Sequence, residues 1–442
     1  MIIEQSAQAL AAVAEDFGHV VRGSPAGLIR PQSPGEVAEA VREAAASGSR
    51  LTLRGQGHSA GGQAVPDGSV VLDMSALNEV GPVDRERRTV RCQAGAQLRQ
   101  IVAATLEHGL LPCALTNLLD LSVGGLLSVG GIGPGSHRYG PLLASVVQLQ
   151  VVTADGAVRD CSPSQNRDLY HAVLGGLGRC GAIVAAELRL RPVRPRVRTF
   201  YLLYDDHRRW LADQRLLART DGVSAMEGFC SASPQGLRGT GGRRAAFAQW
   251  FFPLQVSFEF GDVAPDLPQE VAPYRVLGVD DDQIEYFPSR HDLRIEAIRR
   301  LGAWDRPHPY IGALIGSGAL AGVLPEVLDT LPLALGPGHC GTFFMATEGS
   351  PPLLARPDAS DVVFLGIMYP QILPQFLDMS LGAFRRIGEL LTAAGGKRYL
   401  ADWLGDMDEA AWRRHWGPGY DRWTGVKHTF DPDGVFCSLL TG

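Results

Sequence analysis

Three glycine-dense blocks, each set against an apolar run, constrain this chain more than any other feature of its sequence. The first, Arg54-Gly55-Gln56-Gly57-His58-Ser59-Ala60-Gly61-Gly62-Gln63, follows the short apolar run Leu51-Thr52-Leu53. The second extends from Leu121 to Gly135 and contains Val123-Gly124-Gly125 and Gly130-Gly131-Ile132-Gly133. The third is Leu174-Gly175-Gly176-Leu177-Gly178. Glycine lets a backbone approach a planar or phosphorylated group closely, with its N–H groups offered to a diphosphate. A single histidine flanked by such glycines, His58, is then presented to the same group. Taken alone, the first block more often describes a solvated turn histidine, and the other two equally describe the turns of a loop-rich domain.

The rest of the chain predicts an α+β fold, because strands and helices mix without strict alternation. Residues 36–47 read as an amphipathic helix with Ser33-Pro34 as cap and first-turn residue and Gly48 as its stop. Leu98 to His108 reads as a second helix, ended by Gly109. Ser69–Leu72, Thr89–Cys92 and Val146–Val152 read as strands, and Asp155-Gly156 as a tight hairpin turn. The run Arg191-Pro192-Val193-Arg194-Pro195-Arg196-Val197-Arg198 shifts the composition and marks a domain boundary. Beyond it, Phe247–Phe260 reads as strand, Arg290–Leu301 as helix and Val362–Tyr369 as a buried strand. One helix is expected to begin at Pro325, and another to span Met379–Ala394 and close at Gly395-Gly396. No internal repeat is evident.

Composition removes several classes of function. A chain of 442 residues, 45% hydrophobic and 20% charged, can bury a large core in two domains. A net charge of -6 supplies no basic field, so neither nucleic acid nor an anionic membrane is the expected partner. No apolar run reaches bilayer-spanning length. The start of the chain carries Glu4, Glu15 and Asp16 without a basic-then-apolar stretch, so the expected location is cytoplasmic. Seven scattered cysteines form no Cys-x-x-Cys pair, and the eleven histidines form no His-x-x-x-His face. Free buried thiols and no metal site are expected, and His291 and His308 lie too far apart in sequence to be related.

With these blocks in order, the chain resembles flavoproteins of the vanillyl-alcohol-oxidase type, and within them it is most similar to cytokinin dehydrogenases. The three glycine blocks carry the superfamily. Glu227-Gly228-Phe229, Trp304-Asp305-Arg306-Pro307-His308-Pro309-Tyr310 and Phe430-Asp431-Pro432 carry the branch, so the likeness spans nearly the whole chain. It implies a two-domain PCMH-type FAD-binding fold, with a substrate domain of antiparallel sheet covered by helices. The FAD-binding domain would occupy residues 1–193, the substrate domain 194–400, and residues 401–442 would return to the FAD-binding domain.

The resemblance also implies a site. FAD would be held by Arg54, Gly55, Gln56, Gly57, His58, Ser59, Gln63, Gly124, Gly125, Ser128, Gly131, Ile132, Gly178 and Ile183, with His58 linked covalently to the 8α-methyl of the isoalloxazine. Such a link favours reduced flavin and fixes the ring for hydride transfer. Hydride loss from an amine or alcohol carbon needs a partner for the proton on nitrogen or oxygen. Cytokinin dehydrogenases place an aspartate six residues before the Val-Gly-Gly, and here that position is Asn117. An amide accepts a hydrogen bond but is no base near neutral pH. Asp120, three residues along, falls on the opposite face of an extended segment and does not replace it. Glu227 stands where the family has its pocket glutamate, with a solvated loop acid as the bland alternative.

Tyr310 and Gly312 replace the family's tryptophan and asparagine after Pro-His-Pro, and Gly312 is expected to leave room for a bulkier ligand. The family's Ser-Pro-Gly-Gln ending is replaced by Cys437-Ser438-Leu439-Leu440-Thr441-Gly442. Asn117, Glu227 and Tyr310 are therefore the expected catalytic residues. Three readings remain open: oxidation at a C–N or C–O centre of a bulky small molecule, true cytokinin dehydrogenation, or a flavin-holding binder or redox-neutral cyclase. The first two need a small-molecule substrate and dioxygen or another electron acceptor, in a monomer or homodimer.

Overall fold

A serine and a proline open the first long helix, Pro34–Ser47. Ser33 Oγ accepts from the Glu36 N–H at 3.2 Å, Pro34 sits in the first turn, and Gly48 ends the helix in the left-handed region at φ 69°. Its inner face, Val37, Ala38, Ala40, Val41 and Ala44, is buried. That face packs with Ile29, Leu51 and Leu72 from a three-stranded parallel sheet, in which Val70–Asp73 runs between Gly27–Ile29 and Leu51–Arg54. The computed structural model describes residues 2–240, 243–332, 339–346, 353–369 and 371–439. Leu440-Thr441-Gly442, part of the altered C-terminal sequence, lies outside the described residues.

A second sheet is six-stranded and antiparallel. Its path runs Val80–Asp84, Thr89–Gln93, Ala182–Pro192, Val146–Val152 and Val158–Cys161, with Leu110–Pro112 also paired to Ala182–Pro192. Asp155-Gly156 does turn the chain, though within a longer loop than a two-residue hairpin. Gly156 takes φ 70°, and the Thr153 N–H closes the loop on Ala157 C=O at 3.1 Å.

At residues 193–195 the chain leaves this sheet and enters an eight-stranded one. The order there is Arg275–Gln283, Arg196–Tyr204, Arg243–Phe260, Val223–Thr240, His339–Met345, Val362–Met368, Tyr310–Gly316 and Lys397–Arg398. Its pairings are antiparallel, and the helices His207–Leu217, Ser317–Thr330 and Leu377–Ala393 pack on it. The expected helix at 290–301 is Asp292–Arg300. The helix expected to start at Pro325 starts eight residues earlier, at Ser317, and Pro325 is interior to it. The carbonyl of Ala321, which Pro325 cannot serve, instead accepts from His207 Nε2 at 2.9 Å.

After Trp403 the chain returns to the first part of the molecule. Cys437 N–H donates to Leu51 C=O at 2.9 Å, and Ala154 N–H to Phe430 C=O at 3.1 Å. Asp431, in the Phe430-Asp431-Pro432 block, caps this return by accepting from Val435 N–H and Phe436 N–H and from Lys427 Nζ. All seven cysteines are buried and free. Among the described residues, no helix is long and apolar enough to cross a membrane, and no group of three His, Cys, Asp or Glu side chains could hold a metal.

Candidate active site

Strand Leu51–Arg54 delivers the histidine loop to a cavity of about 280 Å³. Arg54 ends the strand and folds beneath the loop, its Nη1 donating to the carbonyls of Glu15 at 3.2 Å and Ala64 at 3.3 Å. Gly57 sits directly over that guanidinium with φ 71°, and a Cβ there would stand 2.4 Å from Arg54 Nη2. A Cβ on Gly55 would stand 2.2 Å from Ser122 Oγ. The left-handed backbone at Gly57 favours glycine, and a side chain at 55 would have to displace the Ser122 hydroxyl. Among the described residues, the backbone N–H groups of Gln56, Gly57, His58 and Ser59 donate to nothing.

The facing wall is the start of helix Val123–Val129. Its first two N–H groups are taken by the carbonyls of Ala96 and Ala94, and the Gly125 N–H is left open to the cavity. Every cofactor residue expected from the sequence lines this cavity except Gly131. Gly131 lies behind the wall, donating its N–H to the hydroxyl of Tyr399, which does line it. Leu53, Thr116, Ser122, Leu177, Tyr399 and Ala401 also line it and were not expected. Of these, Leu177 had a local signal, since it sits between glycines and takes a left-handed φ of 58°.

His58 is no solvated turn residue. Burial, with Arg299 nearby, pulls its pKa down to about 4, so the imidazole is neutral near pH 7. Its ring stacks on Phe17 with centroids 4.0 Å apart, and no group among the described residues hydrogen-bonds either ring nitrogen. Phe17 continues into the Pro-His-Pro block, meeting His308 at 4.6 Å, Trp304 at 5.1 Å and Tyr310 at 6.2 Å. The histidine loop and the Tyr310 strand are thus joined by aromatic contact, and nothing in the sequence singled out Phe17.

Asn117 and Glu227 meet. Asn117 Nδ2 donates to Glu227 Oε1 at 2.5 Å, which leaves Asn117 Oδ1 buried without a donor. Glu227 lies on strand Val223–Thr240 and is 5% exposed, so it is not a solvated loop acid. His291 Nε2 stands 3.2 Å from its second oxygen, Oε2. Burial raises the Glu227 pKa, but His291, Arg290 and the Asn117 amide together outweigh it and hold the carboxyl below its ordinary range. His291 thus joins the cluster that sequence distance had hidden.

Asp120 lies in a turn, not an extended segment, so the alternation argument against it does not apply. It is diverted all the same, to Arg99 at 2.8 Å and Arg299 at 2.9 Å. Tyr310 opens strand Tyr310–Gly316, and burial with Asp402 nearby raises its hydroxyl pKa, so it remains a protonated phenol. Gly312 does not leave empty space. A Cβ there would stand 2.3 Å from Asp402 Oδ2 and 2.8 Å from the Phe364 ring, so those two groups already fill the room.

A glycine-lined cavity with free amides, between an α+β domain and a helix-covered antiparallel sheet, defines a protein built to hold a dinucleotide. Residues 25–162 match the family described as "FAD binding domain". The chain is 30% identical over 428 residues to "Uncharacterized oxidoreductase ORF5 in fasciation locus" of Rhodococcoides fascians, covering 96% of this chain and 94% of that protein. It is also 30% identical over 477 residues to "Cytokinin dehydrogenase 1" of Oryza sativa subsp. japonica, covering 94% of this chain and 87% of that protein. Against "Cytokinin dehydrogenase 6" of the same organism the identity is 28%, over 96% of this chain and 88% of the relative. The chain belongs to the cytokinin dehydrogenase-like family of FAD-binding oxidoreductases, with their two-domain PCMH-type fold. The cavity fits FAD: four successive free N–H groups and the open Gly125 amide suit a diphosphate, and the glycines at 55 and 57 let it approach the backbone.

Proposed function

We propose that this protein oxidises a carbon bonded to nitrogen or oxygen in a small molecule, by loss of a hydride. FAD, when bound, supplies the two-electron acceptor. His58 would hold it through a bond between a ring nitrogen and the 8α-methyl carbon. The observation that carries this reading is the neutral His58 imidazole in the cavity wall, with both ring nitrogens free of protein partners. A nitrogen that is unprotonated and unpartnered retains the lone pair such a bond needs. The free amides of residues 56–59 and of Gly125 would hold the diphosphate, and Phe17 would keep the imidazole in place from behind. Dioxygen or another small acceptor would take the electrons on.

On the substrate side, Asn117 offers a buried carbonyl oxygen with no donor, which orients a ligand N–H or O–H without removing its proton. Glu227 keeps that amide in one orientation. Cytokinin dehydrogenation is the second reading. The names of the rice relatives and the presence of Glu227 favour it, while Asn117 and Gly312 depart from that family's pocket.

The experiment is an anaerobic titration of the yellow protein with N6-isopentenyladenine, with dithionite as positive control. Bleaching supports amine oxidation on this class of ligand. An oxidised flavin that only dithionite reduces would move the substrate outside it. Acid precipitation tests the linkage separately. The wild-type pellet should stay yellow and that of His58→Ala should release its flavin; wild-type flavin that comes off freely in acid rules the covalent bond out.

A further inference from the structure

Residues 399–403 form an arch at the edge of the eight-stranded sheet, and both its feet are pinned. Tyr399 N–H donates to Gly312 C=O and Trp403 N–H to Tyr310 C=O, each at 2.9 Å. The crest is held from the cofactor side. Gln63 Nε2 donates to the carbonyls of Leu400 and Asp402, each at 2.8 Å, and Ala60 N–H to Ala401 C=O at 2.9 Å. Asp402 therefore rides on a rigid loop wedged between the histidine block and the strand that carries Tyr310. Its carboxylate fills the space that a side chain at 312 would occupy, with Oδ2 2.3 Å from where a Cβ would stand.

This carboxylate is 8% exposed, and no donor among the described residues reaches either oxygen. Neither oxygen is among the polar atoms sealed from a water-sized probe without a partner, so the group faces residual space. Among the described residues Arg398 is the charged group acting on it, and its guanidinium is directed to Asp406 and to Trp403 C=O. The flanking titratable groups are the phenols of Tyr310 and Tyr399, both protonated. A buried acceptor without a donor is satisfied when a ligand brings one.

We propose that Asp402 is the proton acceptor of the reaction, taking the place of the acid lost at Asn117, and that its ligand is an amine whose N–H adjoins the oxidised carbon. The inference rests on the hydride-loss reaction proposed above. The N–H bond breaks and its proton forms an O–H bond with the carboxylate. The electron pair left on nitrogen becomes the second bond of C=N, while the hydride and its pair go to the bound flavin, reduced as the amine becomes an imine. Glu227 is the poorer base, since it accepts from Asn117 at Oε1 and its neighbours hold it below its ordinary pKa. Burial, opposed by Arg398, raises Asp402 to about 7, where a general base works best near neutral pH.

The test compares wild type, Asp402→Asn and Gly312→Ala as FAD-loaded proteins. Anaerobic bleaching by N6-isopentenyladenine is followed from about pH 5.5 to 9. The wild-type rate should rise with pH and level off above about 7. Asp402→Asn should lower the plateau about 100-fold and remove the rise. Gly312→Ala, which displaces the carboxylate but leaves it titratable, should also slow bleaching. A readout without turnover is carboxyl ¹³C NMR of aspartate-labelled protein. A resonance titrating near 7 should be present in wild type, absent from Asp402→Asn, and shifted by the adenine. Near-wild-type bleaching in Asp402→Asn, or no such resonance, overturns the assignment. A wild-type flavin that dithionite reduces and the amine leaves oxidised at every pH overturns the amine reaction itself, and the acceptor role with it.

Discussion

Glu227 accepts from the Asn117 amide at Oε1, and the His291 imidazole stands 3.2 Å from Oε2. That arrangement explains what an asparagine does at 117. Its Nδ2 is the one donor among the described residues that reaches Glu227 Oε1, so Asn117→Asp would replace a hydrogen bond with two carboxyl groups at about the same 2.5 Å separation. Two carboxylates so close cannot both ionise; the pair would share a proton, and its upper pKa would rise above that of the unfolded chain. Stability from the shared proton is present at low pH and lost as pH rises through the raised value. Asn117→Asp should thus unfold near the wild-type temperature at about pH 5 and well below it at pH 8, a loss of about 2 kcal/mol. Equal melting temperatures at both pH values would show that the two side chains do not meet. The sequence made Asn117 and Glu227 legible because each sits in a recognisable block. His291 and Asp402 were not, since each is a single polar residue whose role exists only through a partner distant in the chain.

Elements were legible where their ends carry local chemistry. The Ser33-Pro34 start and the Gly48 stop bound their helix correctly, because the cap hydrogen bond and the left-handed glycine lie within a few residues of each other. The start of helix Ser317–Thr330 is misplaced by the sequence for the same reason inverted. Proline favours a first turn, so Pro325 reads as a beginning, and the tertiary contact that lets it sit inside the helix lies far away in sequence. His207 Nε2 supplies the hydrogen bond to Ala321 C=O that the proline cannot. His207→Ala should orphan this carbonyl and cost about 1–2 kcal/mol. In a Pro325→Ala background the restored N–H can serve Ala321, so the same substitution should cost much less there. A double-mutant cycle in urea measures this coupling, and additive losses would mean His207 contributes only its ring contact with Phe252.

At the scale of the molecule, the candidate site lies where three distant stretches converge: the histidine block, the start of strand Tyr310–Gly316, and the arch 399–403. Local pattern could place each stretch but not their junction, and the groups buried there oppose each other with pH. His58, His308 and His415 have pKa values depressed to about 4, 4 and 3 by burial, so their contribution is present above the unfolded value and lost as pH falls. Asp402 and Asp16 have values raised by burial to about 7 and 6, so theirs is present at acid pH and lost as pH rises. A melting profile of the wild type alone mixes these two trends across the same window. The difference between Asp402→Asn and wild type separates them, because the histidines and Asp16 are common to both. It should be near zero below about pH 3, where Asp402 is neutral folded and unfolded alike. It should grow in favour of the variant between pH 4 and 7, then level off above 7 once the folded carboxyl has ionised. The plateau should be on the order of a few °C. A variant less stable than wild type at pH 8 would mean the carboxylate has a donor in the resting protein, and would remove the reason to assign it a ligand.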